Sequence, residues 1–85
     1  MASVIASSST PNPDAMKFSL DVTLPAMVNV TDQADAAGDP FVEAVLAAGG
    51  VAAVFGVNDF VTITRQAGAP WEPIVEAVTA AAAHL

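Results

Sequence analysis

Residues 51–66 have the sequence VAAVFGVNDFVTITRQ. Two runs rich in Val, Phe, Ile and Thr flank the sequence GVND at 56–59, whose Gly, Asn and Asp favour turns. The pattern predicts a β-hairpin with strands at 51–55 and 60–66. Both sides of the second strand carry residues that favour β-structure, so the pattern leaves two alternatives for the buried face.

Two further strands are predicted on the N-terminal side of the hairpin. Met16, Phe18 and Leu20 alternate with polar residues, which is typical of a strand with one buried and one solvated face. A second β-rich run covers residues 22–30, and Pro25 within it confines this run to a sheet edge or a bend.

The N-terminal segment, residues 1–9, is rich in serine and is either a weak edge strand or a frayed tail. Val4 and Ile5 favour the strand because β-branched side chains fit a pleated surface. The segment leads into a loop that contains Pro11-Asn12-Pro13. Residues 31–38 are polar and are predicted to form another loop.

Two amphipathic helices are predicted. Asp39 and Pro40 form a start signal, because an Asp side chain caps free N–H groups and Pro needs none at the first helical position. Apolar residues at helical spacing follow, and Gly49-Gly50 ends this helix. Pro70 begins a C-terminal helix. The apolar stripe of the second helix consists of Trp71, Ile74, Val75, Val78, Ala82 and Leu85.

The order β-β-α-β-β-α predicts an α+β fold, a small two-layer domain in which two helices cover one face of an antiparallel sheet. The chain has 85 residues, of which 54% are hydrophobic, and this supports one modest core. Such a composition argues against disorder in spite of the net charge of −7. A chain of this length is too short for a large enzyme architecture.

The charge balance limits the classes of partner. Nine acidic residues face two basic ones, Lys17 and Arg65. Two cations cannot neutralise a run of phosphates or hold an anionic bilayer, so neither nucleic acid nor a membrane surface is expected. No stretch has the roughly 20 apolar residues of a spanning helix. Met1–Thr10 shows no export signal, so a cytoplasmic location is expected.

The residues that carry chemistry are few. The sequence contains no cysteine, which removes thiolate nucleophiles and Cys-ligated metal centres. His84 has no partners at ligand spacing and fits a structural position at a helix end. Asp32, Asp35 and Asp39 lack the alternation of an EF-hand and fit a solvated acidic loop. We therefore expect no catalytic, cofactor or metal site and no enzymatic activity.

Lys17 is the only lysine and is predicted to project from the solvated face of its strand. Two interpretations are open. As a solvated side chain it guards a sheet edge against aggregation. Alternatively, it contacts an acidic partner or the backbone. Neither role is catalytic.

The sequence resembles the N-terminal domain of Nfu/NifU-type iron–sulfur scaffold proteins. Thr10-Pro11-Asn12-Pro13, followed by Lys17-Phe18, resembles the T-P-N-P-x-x-x-K-F opening of that family. The later matching segments, in chain order, are Gly50-Val51-x-x-Val54-Phe55, Asp59-Phe60-Val61-Thr62-Ile63-Thr64 and Trp71. The resemblance implies an Nfu N-terminal-like domain over residues 10–85, with 1–9 outside it.

The chain also departs from the family pattern. Ser19-Leu20-Asp21 stands where Pro-Gly often follows the Lys-Phe strand, and the hairpin turn is one residue longer. The resemblance implies a role in iron–sulfur cluster assembly, in which a C-x-x-C pair in a separate C-terminal domain holds the cluster. Because this chain has no cysteine, no cluster ligand carries over to it. Iron or a cluster would be reached only through a partner, such as an iron–sulfur assembly or carrier protein.

The candidate partner-binding residues are Thr10, Pro11, Asn12, Pro13 and Lys17. The two prolines fix their φ angles, which lowers the cost of ordering the loop when a partner docks. We expect a non-catalytic accessory domain that acts through protein–protein contacts. The alternative is a stand-alone structural or oligomerising domain with no iron–sulfur role. Self-association is compatible with both.

Overall fold

A computed structural model describes residues 3–24, 27–31 and 40–84. Within these ranges the chain forms five strands and two α-helices, with a short 3₁₀ turn at Ala82–His84. In chain order the elements are β1 (Val4–Ser9), β2 (Ala15–Leu20), β3 (Val28–Val30), α1 (Pro40–Ala47), β4 (Val51–Val57), β5 (Phe60–Arg65) and α2 (Trp71–Ala81). The predicted α+β fold is confirmed. Strands β2 to β5 and the two helices follow the predicted order β-β-α-β-β-α, and β1 is an additional strand before them.

The five strands form one antiparallel sheet with the order β1-β2-β5-β4-β3. Strands β2 and β5, which are far apart in the sequence, pair near the centre of the sheet. Strand β1 lies at one edge and β3 at the other. This arrangement places the connection between β1 and β2 at the same end of the sheet as the end of β5.

One face of the sheet packs against the two helices. The register places Phe18 opposite Val61, and both side chains are at most 1% exposed. Ile63 on the same face is fully buried, so the Val61–Ile63 side of β5 is the buried one. The principal members of the core are Phe18, Leu20, Val54, Val61 and Ile63 from the sheet and Phe41, Val42, Val45, Ile74 and Val78 from the helices.

The β4–β5 turn is shorter than predicted. Val57 pairs with Phe60, so two residues lie in the turn where four were expected. Asn58 adopts a φ of 57°, the left-handed conformation that tight hairpin turns need and that Asn tolerates. Gly56, expected in the turn, belongs to β4.

The predicted β-run over 22–30 is also partly wrong, because among its described residues, 22–24 and 27–30, only Val28–Val30 forms a strand. Leu24 lies outside the strands and is 8% exposed. Its N–H donates to the carbonyl of Asn58 at 2.6 Å. A Cβ at Gly56 would lie 2.8 Å from Leu24 Cδ1, so the glycine makes room for this side chain. Pro25 lies outside the described residues.

Both helices form where they were predicted. Gly49 and Gly50 follow α1 with φ values of 75°, the conformation that favours glycine at a helix end. Ile74 and Val78 of α2 are buried. Among the described residues, no helix is long and apolar enough to cross a membrane. The described residues do not include the three acidic positions considered for metal binding, Asp32, Asp35 and Asp39. They also do not include Leu85, the last member of the predicted apolar stripe.

Removing one methylene group from each of two isoleucines tests which face is buried. Ile63→Val is expected to lower the free energy of unfolding by about 0.5–1.5 kcal/mol, the usual cost in a packed core. Ile5→Val is the matched control and should stay within about 0.5 kcal/mol of wild type, because Ile5 is 65% exposed. Urea unfolding followed by circular dichroism measures both. Equal losses for the two variants would contradict the assigned face.

Candidate partner-binding site

The proline loop, which we define as residues 10–14, connects β1 to β2. Pro11, Asn12 and Pro13 are exposed, whereas Thr10 and Asp14 are partly buried. The loop therefore presents three neighbouring side chains to solvent between two anchored ends.

Side chains of the proline loop bind its own backbone. The Thr10 hydroxyl accepts a hydrogen bond from the Asn12 N–H at 3.2 Å. Its single proton is shared between two carbonyl oxygens, that of Asn12 at 2.9 Å and that of Ala15 at 3.1 Å. Asn12 Oδ1 accepts from the Asp14 N–H at 2.9 Å, which is an Asx turn. The loop is thus ordered by hydrogen bonds as well as by the fixed φ angles of its prolines.

Arg65, at the end of β5, ties the proline loop to the rest of the fold. Its backbone N–H donates to the Asp14 carbonyl at 2.7 Å, and its Nε lies 3.1 Å from Asp14 Oδ1. Nη1 donates to the Ala69 carbonyl at 3.1 Å. The guanidinium also lies 5.4 Å from the centre of the Trp71 ring. One side chain therefore joins the loop, the β5–α2 connection and the start of α2.

Lys17 does not belong to the group of contacts that Arg65 makes with the proline loop and α2. It lies opposite Thr62 on the face of the sheet away from the helices, with its Nζ 4.4 Å from the centre of the Phe60 ring. Strand β2 is flanked by β1 and β5, so the interpretation of Lys17 as a guard of a sheet edge is wrong. The other four candidate residues, Thr10, Pro11, Asn12 and Pro13, come together in the proline loop.

A shallow groove of about 540 Å³ lies between the end of α1 and the start of β4. Thr31 and Gln66 also line it, and none of the described lining residues carries a carboxylate, an imidazole or a cation. Within the described ranges, no three His, Asp or Glu side chains form a group that could hold a metal ion.

The sequence analysis did not predict the ion pair between Asp14 and Arg65 that anchors the proline loop. Asp14 and Arg65 are separated by 51 positions, and only the sheet register brings them together. The one signal in the sequence was that Arg65 is the sole arginine.

Comparisons with known proteins agree with this architecture. A family model described as "Scaffold protein Nfu/NifU N terminal" matches residues 5–85. The crystal structure of SAV1430 from Staphylococcus aureus is 28% identical over 93% of this chain and 96% of that chain, with a TM-score of 0.73. Its solution NMR structure is 29% identical over 92% and 87%, with a TM-score of 0.72.

A third similar structure is the solution NMR structure of SeR13 from Staphylococcus epidermidis. It is 29% identical over 88% of each chain, with a TM-score of 0.61. Comparison with curated proteins finds no matching relative.

Substitutions at Arg65 and Asp14 test the anchor. Arg65→Ala is expected to cost about 1–3 kcal/mol, because the Asp14 carboxylate and the Ala69 carbonyl lose a donor and Trp71 loses a packing partner. Asp14→Asn should cost less than about 1 kcal/mol, since partly exposed ion pairs contribute little. Urea unfolding measures both changes.

Hydrogen exchange by NMR supplies the local measurement. In Arg65→Ala, the amides of Asp14 and Ala15, which donate to groups of Asn12, should exchange faster than in wild type. Unchanged exchange would mean that the hydrogen bonds and prolines of the loop order it without Arg65.

Proposed function

The chain belongs to the Nfu/NifU N-terminal scaffold family, and on this premise we propose that it is a non-catalytic accessory domain of iron–sulfur cluster assembly in the cytoplasm. It acts by binding a protein that carries the cluster. The family match over residues 5–85 supports the link to assembly. The chain has no cysteine and offers no thiolate to a cluster, so the cluster remains the cargo of the partner.

The order of the proline loop is the observation that carries this proposal. Its backbone is held by Thr10, Asn12 and Arg65 before any partner arrives. Immobilising a flexible side chain on binding costs about 0.5–1.5 kcal/mol, and a loop that is already ordered avoids much of this cost. The exposed tip, Pro11–Pro13, carries no charge, so a partner can bury it without desolvating an ion.

Electrostatics favours a partner with a basic surface. Asp14, the acidic residue of the proline loop, is paired with Arg65. Glu43, Glu72 and Glu76 on the helices are exposed. These exposed carboxylates attract a basic partner during diffusion, and the uncharged loop tip then makes the short-range contact.

The prolines provide the test. A double variant, Pro11→Ala with Pro13→Ala, is expected to bind the isolated C-x-x-C cluster domain of an Nfu-type protein about 4- to 30-fold more weakly, because each proline restricts the backbone by about 0.4–1 kcal/mol of free energy and binding must supply this ordering when proline is absent. Isothermal titration calorimetry with the apo and the cluster-loaded domain measures the dissociation constants. Pro73→Ala is the matched control, since Pro73 is an exposed proline of α2 that does not belong to the proline loop.

Three outcomes would count against the proposal. Equal affinity of the folded double variant and wild type would remove the proline loop as the docking site. If wild type does not bind the cluster domain, and the NMR shifts of residues 10–14 do not change when that domain is added, the proposed assembly partner is wrong. Stoichiometric iron in the purified chain would also contradict a role confined to protein contacts.

A further inference from the structure

Within the described residues, strand β1 pairs its backbone on one side only. It lies at an edge of the sheet, and its described pairing is with β2 alone. Five of its six residues are exposed. An edge strand of this kind displays N–H and C=O groups that can pair with a strand of another chain.

The sequence of β1 lacks two of the usual protections of an edge, charged side chains and proline. VIASSS contains no charged residue and no proline, and Ile5 is 65% exposed. A register irregularity between Val4 and Ala6 twists the start of the strand. From Ala6 to Ser9 the register is regular, so this part presents a straight ladder.

The neighbouring lysine does not cover this edge. Lys17 lies opposite Ser8 on β2, the position from which a lysine could reach over β1. Its ammonium instead lies 4.4 Å from the Phe60 ring. Phe60 belongs to β5, on the far side of β2 from β1. The backbone of β1 therefore remains open to pairing.

We propose that β1 pairs with β1 of a second copy of this chain, antiparallel across a two-fold axis, so that two five-stranded sheets join into one. Antiparallel pairing of identical strands is self-complementary, and the two-fold axis closes the assembly at a dimer. A six-residue strand pair buries less than the roughly 1,200 Å² of a standard interface, so the dimer is weak and transient.

A second copy fits this edge because of the charge distribution. Each chain carries a net charge of −7, whereas β1 carries none, so contact at β1 brings no strand carboxylate against another. The remaining repulsion between two acidic chains acts over a distance and is screened by salt. Added salt therefore strengthens this dimer, whereas it weakens an interface held by ion pairs. The proposal is independent of what the proline loop binds.

Analytical ultracentrifugation of the full chain tests the association. We expect a dimer fraction that rises with concentration up to about 1 mM and rises further between about 20 and 300 mM NaCl. Ser7→Lys should remove the dimer, because a lysine at the centre of the edge blocks pairing. Ala80→Lys, on the exposed face of α2, makes the same change in net charge and should still dimerise.

Cysteine variants locate the axis, and the absence of native cysteine makes their result unambiguous. Ala6→Cys, Ser7→Cys and Ser8→Cys are each oxidised and analysed for disulfide-linked dimers. A disulfide needs Cα atoms about 4.4–6.8 Å apart, so only the variant nearest the axis should cross-link efficiently. Ala80→Cys should not.

A chain that remains monomeric at about 1 mM in high salt would overturn the proposal, even if the edge binds a segment of another protein. Equal cross-linking of all four cysteine variants would also overturn it, because random collisions produce that result. Retained dimerisation by a folded Ser7→Lys variant would place the contact elsewhere.

Discussion

The antiparallel pairing of β2 with β5 is the constraint on which the rest of the structure depends. One register places Phe18 opposite Val61 in the core and Lys17 opposite Thr62 on the other face. The same register brings the start of β2 beside Arg65 at the end of β5. Because side chains alternate along a strand, a slip of one residue would expose Phe18 and separate Arg65 from the proline loop.

Hydrophobic periodicity was sufficient to predict the elements whose apolar residues repeat clearly, which are β2, the β4–β5 hairpin and both helices. It could not predict the length of the hairpin turn. Gly56 signals a turn in the sequence, but its role in the fold is to make room for Leu24. Such a role depends on a contact between segments that are distant in the chain, and no local pattern records it.

In the candidate site, too, the local features could be predicted from the sequence, whereas the contacts between distant segments could not. The stiffness of the proline loop could be predicted, because it follows from proline itself. Its anchor could not, because Asp14 and Arg65 meet only after β2 and β5 have paired. For Lys17, alternation correctly predicted the solvated face. It could not tell whether β2 has one neighbouring strand or two, and this difference separates an edge from an interior position.

Both basic side chains are used within the fold, and this determines what the surface offers to other molecules. Arg65 contacts Asp14 and Trp71, and Lys17 lies over Phe60. The described surface from β1 through the loop tip, residues 4–13, carries no charge. In an antiparallel pair of β1 strands, the proline loop of each copy lies beside the start of β1 in the other. The two loops then lie at opposite ends of the joined strands, so the proposed dimer would present the two loops as separate surfaces rather than as one combined surface.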